Sequence, residues 1–214
     1  MSTTIYLIRH GQSVANENNA FLGHGDLPLT EIGHQQARSA SEFLKQKKVA
    51  DAIYSSDLLR AYYTAKPTAD RLNLPIVKDE ALREIYAGKW EKVAFDTIAE
   101  LYTESFHTWT TDIGNARCDG GESVVELQAR VVGALKRIAE ENPDRVVYVF
   151  THATPIRVFA AHCLQKTPDE FKDVPWAGNA SITEAIYDGE KFNLIKYGEN
   201  DFMGDLATKL PANV

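Results

Sequence analysis

Residues 5–8, Ile5-Tyr6-Leu7-Ile8, form an unbroken apolar run that opens directly onto Arg9, His10 and Gly11. A short continuous run of this kind near a chain start, with no helix cap before it, predicts a strand covered on both faces. Such a strand belongs inside a mostly parallel sheet, and ligands of open α/β sheets sit just past the carboxyl ends of the strands. The run therefore constrains both fold and location. An arginine and a histidine are delivered to the sheet edge where such folds do their chemistry. A second run, Val146-Val147-Tyr148-Val149-Phe150, ends the same way in Thr151-His152. If the two strands are parallel neighbours, their imidazoles lie side by side.

The intervening chain supplies alternating helices and strands. Residues 12–29 read as an irregular polar loop. Thr30 caps an amphipathic helix carrying Ile32, Ala37, Ala40, Phe43 and Leu44. Residues 52–55 form a short strand, and Ser55-Ser56-Asp57 is expected to cap a helix with Leu58, Ala61, Ala65 and Leu72 on its apolar face. Arg60 falls in the first turn of that helix. Residues 74–77 read as an edge strand because of Pro75, residues 82–90 as a loop, and 93–110 as an aromatic-rich helix. After a loop at 114–121, Ser123-Val124-Val125-Glu126 fits a capping box. Thr154 is expected to cap the helix after His152, with Pro155 at its first position. Residues 181–187 and 192–197 read as a hairpin turning at Asp188-Gly189. The pattern predicts an α/β, three-layer sandwich: a mostly parallel central sheet with helices on both faces. One domain over 1–214 is expected, with a helical lid-like insertion at about 89–121.

Composition narrows the partners. There are 30 acidic and 23 basic residues, a net charge of -7. That argues against nucleic acid or an anionic membrane surface, which need a basic face. A small anionic substrate stays open, because a local arginine cluster overrules the global sign. Cys118 and Cys163 form no CxxC pair, so a reduced, cytoplasmic setting is expected. No signal-peptide pattern and no transmembrane-length apolar window is present. Two histidines at strand ends, Arg9 beside one of them and Arg60 at a helix start together describe a phosphate-sized anion site. Guanidinium forks match phosphate oxygens and stay charged.

Six segments in order carry a resemblance. Residues 9–16, from Arg9-His10-Gly11 to Asn16, fit R-H-G-x-[ST]-x-x-N; residues 26–33 fit D-x-P-L-[ST]-x-x-G; residues 55–61 fit S-S-x-L-x-R-[AT]. Leu82-Arg83-Glu84 with Gly88-Lys89-Trp90-Glu91, then Gly121-Glu122-Ser123, then Thr151-His152, complete the set. Over nearly its whole length the chain resembles the histidine phosphatase superfamily, the phosphoglycerate-mutase-like proteins. The resemblance implies that His10 attacks phosphorus and forms a phosphohistidine. Arg9, Arg60 and His152 would hold the phosphoryl oxygens, with Asn16 helping, and Gly23 and Ala153 would line the pocket. Glu84 would protonate the leaving alkoxide and then activate water. Glu80, Glu91 and Glu122 are neighbouring carboxylates; spacing to Gly88 and Trp90 selects Glu84. No metal and no cofactor is implied, because the arginines supply the positive charge.

The chain departs from the family pattern at Ala153, where glycine is usual, and at Leu22 and Lys92. Residues 84–121 are short and hold no proline. These departures favour a phosphatase of small phosphorylated metabolites over a cofactor-dependent phosphoglycerate mutase. A non-catalytic phospho-ligand binding protein is a third reading. Residues 93–110 are expected to be core, with a lid role second. His24 sits in a loop within reach of the pocket, Trp176 and the terminal strands are candidates for a homodimer contact, and residues 200–214 either cover the site or fray.

Overall fold

The computed structural model describes residues 2–208. In chain order the strands and α-helices are β1 (Thr3–Arg9), α1 (Val14–Glu17), β2 (Ala20–Phe21), α2 (Glu31–Phe43), β3 (Ala52–Ser55), α3 (Leu59–Leu72), β4 (Ile76–Lys78) and β5 (Val93–Ala94). They continue with α4 (Phe95–Leu101), α5 (Thr103–Thr111), α6 (Val124–Glu141), β6 (Val146–Thr151), α7 (Ala153–Cys163), β7 (Ile182–Tyr187) and β8 (Phe192–Glu199). Six strands make one sheet in the order β4-β3-β6-β1-β7-β8. The pairs β1–β6, β3–β6 and β3–β4 are parallel, whereas β7 runs antiparallel to both β1 and β8.

The two apolar runs are the central neighbours, and both are buried on both faces. Ile5, Leu7, Val147 and Val149 point into a core shared with α6 and α7. Tyr6, Ile8, Tyr148 and Phe150 point the opposite way, onto a core shared with α3. Strand alternation therefore feeds two apolar layers at once, which is why these runs lack polar positions. Each large aliphatic or aromatic side chain so buried contributes about 1.5–3 kcal/mol. The register pairs Arg9 with Thr151, so both strands end at the same level and His10 and His152 emerge together.

Several local expectations are corrected. Residues 12–29 are not wholly irregular: Ser13 and Asn16 form a capping box on α1, and β2 pairs with β5. Residues 93–110 are not one helix. Residues 93–94 are held in that small ladder, and Tyr102, at φ -129° and ψ 46°, separates α4 from α5. Helix α3 starts at Leu59 with Leu58 as N-cap; Ser56 Oγ accepts from Leu58 N, one residue before the helix, rather than from a helical N–H. Helix α7 starts at Ala153 with His152 at the cap position, which places Pro155 third rather than first. The capping box at Ser123 and the Thr30 cap on Gly33 N are present. The tail does not lie over the site as far as residue 208. Residues 201–206 form a 3-10 turn against α2, where Phe202 stacks on Phe43 at 4.1 Å. Residues 209–214 lie outside the described residues. Among the described residues, no helix is long and apolar enough to cross a membrane.

Candidate active site

His10 leaves β1 with its backbone fixed at both ends. Its N–H donates to Thr151 O at 2.9 Å, and its carbonyl accepts from Ala180 N and from Asn179 Nδ2. The ring Nδ1 is 2.7 Å from Gly11 O. A carbonyl only accepts, so Nδ1 carries the proton and Nε2 keeps the lone pair. The next turn is equally fixed. Gly11 N donates to Thr64 Oγ1 on α3, and Gln12 N donates to Gln36 Oε1 on α2. Here two backbones touch: a Cβ on Gly11 would lie 2.4 Å from Gly33 O, and one on Gly33 would lie 2.1 Å from Gln12 O. Only glycine at both positions lets the start of α2 pack under the His10 turn.

His152, fully buried, lies beneath His10 with the ring centroids 5.1 Å apart. Its Nε2 is 2.8 Å from Ser56 Oγ, and its Nδ1 is buried with no protein partner. Both imidazoles are held well below the ordinary histidine range, first by burial and then by the charge of Arg60; Arg9 adds to this at His10, and His10 and Arg130 at His152. Both are therefore neutral at pH 7.

Arg9 and Arg60 are also buried. Arg9 Nη1 donates to Ala177 O, while its Nε is buried without a partner. Arg60 donates from Nη1 to Gly25 O and from Nη2 to Gly23 O. Among the described residues neither guanidinium forms an ion pair. Burial lowers each to about 10, so both stay charged at neutral pH. Two buried cations without carboxylate partners are costly unless an anion joins them.

Glu84 comes from the loop after β4. Its Oε1 accepts from Ile85 N, and its Oε2 from Thr154 N in the first turn of α7 at 3.3 Å. The other candidate carboxylates are engaged elsewhere. Glu91 Oε1 accepts from His24 N, Glu122 pairs with Arg130, and Glu80 is exposed beside Arg83. The Glu84 loop is braced from behind. Thr151 Oγ1 donates to Leu82 O. Arg130 of α6 donates to the carbonyls of Ala81, Arg83 and Glu84 and to both oxygens of Glu122.

Arg9, His10, Asn16, Gly23, Arg60, Glu84 and Ala153 all line one cleft. His152 is the one sequence-chosen residue below its floor. Asn16 is positioned by its own Oδ1, which accepts from Ser13 and from Asn179. Gly23 has a left-handed φ of 55° that aims its carbonyl at Arg60. Phe95 and Trp109 belong to the main core and also line the cleft, and so does Trp176. His24 does not line it: its Nε2 is 2.9 Å from Glu84 O, behind the loop. Arg130 and Gln36 escape the sequence reading, and Ser56 and Thr154 enter it as helix caps rather than as site residues. Of these, Gln36 carries a signal, a polar residue on the apolar stripe of α2.

The arrangement offers a neutral imidazole with a free lone pair, positive charge around it and a carboxyl group across the cleft. Residues 5–200 match the histidine phosphatase superfamily (branch 1). Phosphoserine phosphatase 1 of Hydrogenobacter thermophilus is 32% identical over 191 residues, 89% of each chain. Glucosyl-3-phosphoglycerate phosphatase of Mycobacterium tuberculosis is 30% identical over 187 residues, 84% of this chain and 83% of that one. Among solved structures, YhfR of Bacillus stearothermophilus superposes with a TM-score of 0.89 at 29% identity, covering 94% of this chain and 99% of that one. With the match spanning every segment that builds the cleft, the chain belongs to the histidine phosphatase superfamily.

Proposed function

We propose that His10 is the nucleophile with which this small-molecule phosphatase cleaves phosphomonoesters. One observation carries the reading. His10 Nε2 is the unprotonated ring nitrogen, in a cleft where two buried guanidiniums lack any carboxylate partner. In the first step Nε2 bonds to phosphorus while the bond from phosphorus to the ester oxygen breaks. Glu84 gives its proton to the departing alkoxide. In the second step water bonds to phosphorus, the N–P bond breaks, and the water proton returns to Glu84. Arg9 and Arg60 hold the phosphoryl oxygens and offset the charge that spreads over them. His152 supports the nucleophile from beneath, its ring 5.1 Å from that of His10 and its Nε2 held at Ser56 Oγ. Gly11 O holds the His10 ring and stabilises the protonated Nδ1 as phosphorus is transferred.

The relatives named for phosphoserine and glucosyl-3-phosphoglycerate support a small phosphomonoester as substrate class. Two unpaired cysteines, Cys118 buried among them, fit a reducing, cytoplasmic compartment. The test is a pulse of a phosphate ester, in chelator, quenched in base and read by intact-protein mass. Wild type gains one phosphoryl group on His10. The substitution His10→Ala loses it and lowers kcat/KM by at least ~10³-fold. Undiminished turnover in that variant would sink the assignment.

A further inference from the structure

Resting on that phosphatase reading, we infer that the alcohol part of the substrate is apolar and uncharged: an alkyl or aryl phosphomonoester rather than a phosphorylated amino acid or acid. The cleft has two chemically different ends. Its charged lining residues, Arg9, Arg60 and Glu84, all belong to the phosphoryl end. The polar lining residues Ser13, Asn16 and Thr154 are engaged near that end: Asn16 Oδ1 accepts from Ser13 and Asn179, and Thr154 N donates to Glu84. The apolar wall is Phe21, Leu22, Phe95, Trp109 and Trp176.

That wall is built and held. Phe21 meets Trp109 edge-on at 5.1 Å and Phe95 at 5.7 Å. Trp109 in turn stacks on Trp176 at 6.2 Å and 30°. Trp176 is the member of the wall that is not fully buried, and it is fixed from outside the cleft. The Arg157 guanidinium lies 4.2 Å from its ring centroid, and that guanidinium is anchored on the carbonyls of Phe171 and Lys172. A buried arginine is thus used to hold an aromatic ring in place at the cleft.

The apolar wall and the phosphoryl end line the same cleft, so a group esterified to the phosphate meets that wall. An ammonium or carboxylate placed against this wall would lose its water and find no partner of opposite charge beyond the three used at phosphorus. A methylene chain or flat ring loses only unfavourable hydration there. Ala153, on the rim where the family pattern has glycine, adds one more apolar group to the lining.

The experiment compares esters that all release a primary alkoxide, so that leaving-group chemistry does not decide the outcome. Ethyl, butyl, hexyl and 2-phenylethyl phosphate are assayed beside O-phospho-L-serine by released phosphate. With wild type, kcat/KM is expected to rise by up to about fourfold per methylene, and to exceed that for phosphoserine by at least about 100-fold for hexyl and 2-phenylethyl phosphate. Alkylphosphonates, which cannot be cleaved, should inhibit with affinities that rise along the same series. In Trp176→Ala the chain-length dependence of both series should flatten. Phosphoserine cleaved as well as hexyl phosphate, with a flat phosphonate series, overturns the apolar assignment and leaves the phosphatase reading standing. No His10-dependent turnover of any ester overturns both.

Discussion

Arg130 touches none of the cleft, yet its replacement should change the chemistry there. It donates to three carbonyls of the acid loop, those of Ala81, Arg83 and Glu84, at 3.0–3.1 Å, and grips Glu122 at 2.7 and 2.9 Å. Its side chain is 24% exposed and that of Glu122 is 14% exposed, so the pair lies between surface and interior. Arg130→Met keeps the stem and removes all five hydrogen bonds. An exposed pair is worth about 0–1 kcal/mol and a broken buried one costs about 3–5. A loss of about 3 kcal/mol in stability follows, because Glu122 is left without its partner. The catalytic effect is separate. The Glu84 carbonyl retains only the His24 ring contact, and a carboxyl group displaced by about 1 Å costs ~10²-fold where it must transfer a proton. Proton transfer matters when the leaving group is a poor one. Hexyl phosphate should therefore lose about 30- to 100-fold in kcat/KM in Arg130→Met, and 4-nitrophenyl phosphate less than about fivefold. Arg130→Lys should recover stability better than activity, since one ammonium cannot reach three carbonyls and a carboxylate. Steady-state kinetics below the variant's melting temperature decide it. Equal losses on both esters would show a general loosening of the fold and refute the positioning role.

Other outcomes follow from the same geometry. Ser56→Ala removes the partner of His152 Nε2, leaving a second buried ring nitrogen unpaired, and should cost about 1–3 kcal/mol by denaturant unfolding. Unchanged stability would mean the hydrogen bond contributes nothing. Gly33→Ala drives a methyl group into the carbonyl of Gln12 and should lower both melting temperature and kcat, with Ser at the same position no better; a silent Gly33→Ala would contradict the close approach under His10. Acid should destabilise the free protein through its two histidines. The folded state holds both well below their unfolded value, so their contribution is fully present above about pH 6.5 and is lost as pH falls. Each imidazole that stays neutral in the folded state costs about 1.4 kcal/mol between pH 7.5 and 5.5. Denaturant titrations of His10→Gln with His152→Gln should therefore be flatter over that interval than wild type, and an identical slope would refute the linkage.

What the sequence reveals and what it hides divides along a physical line. His10, His152 and Arg60 are legible because each stands where a strong periodic element starts or stops. The apolar runs of β1 and β6 and the apolar face of α3 set those points by burial. The pieces at residues 14–21 and 93–94 are not legible, because two- and four-residue elements owe their existence to contacts such as β2 on β5 rather than to their own propensities. The two misplaced helix starts have one common cause. Local rules give the first N–H groups of α3 and α7 to Ser56 and Thr154. In the fold, carboxylates from distant loops take them: Asp26 accepts from Leu59 N at 2.8 Å, and Glu84 accepts from Thr154 N. Ser56 Oγ accepts from Leu58 N, one residue ahead of the helix, and faces His152, and the acid of the proposed reaction is itself fixed by a helix terminus. The capping rule fails at these two helices, whose first turns border the cleft, and holds at α6, where Ser123 caps its own helix. A helix start that ignores a good local cap is thus itself a sign that the capping side chain, and the acid replacing it, serve a site.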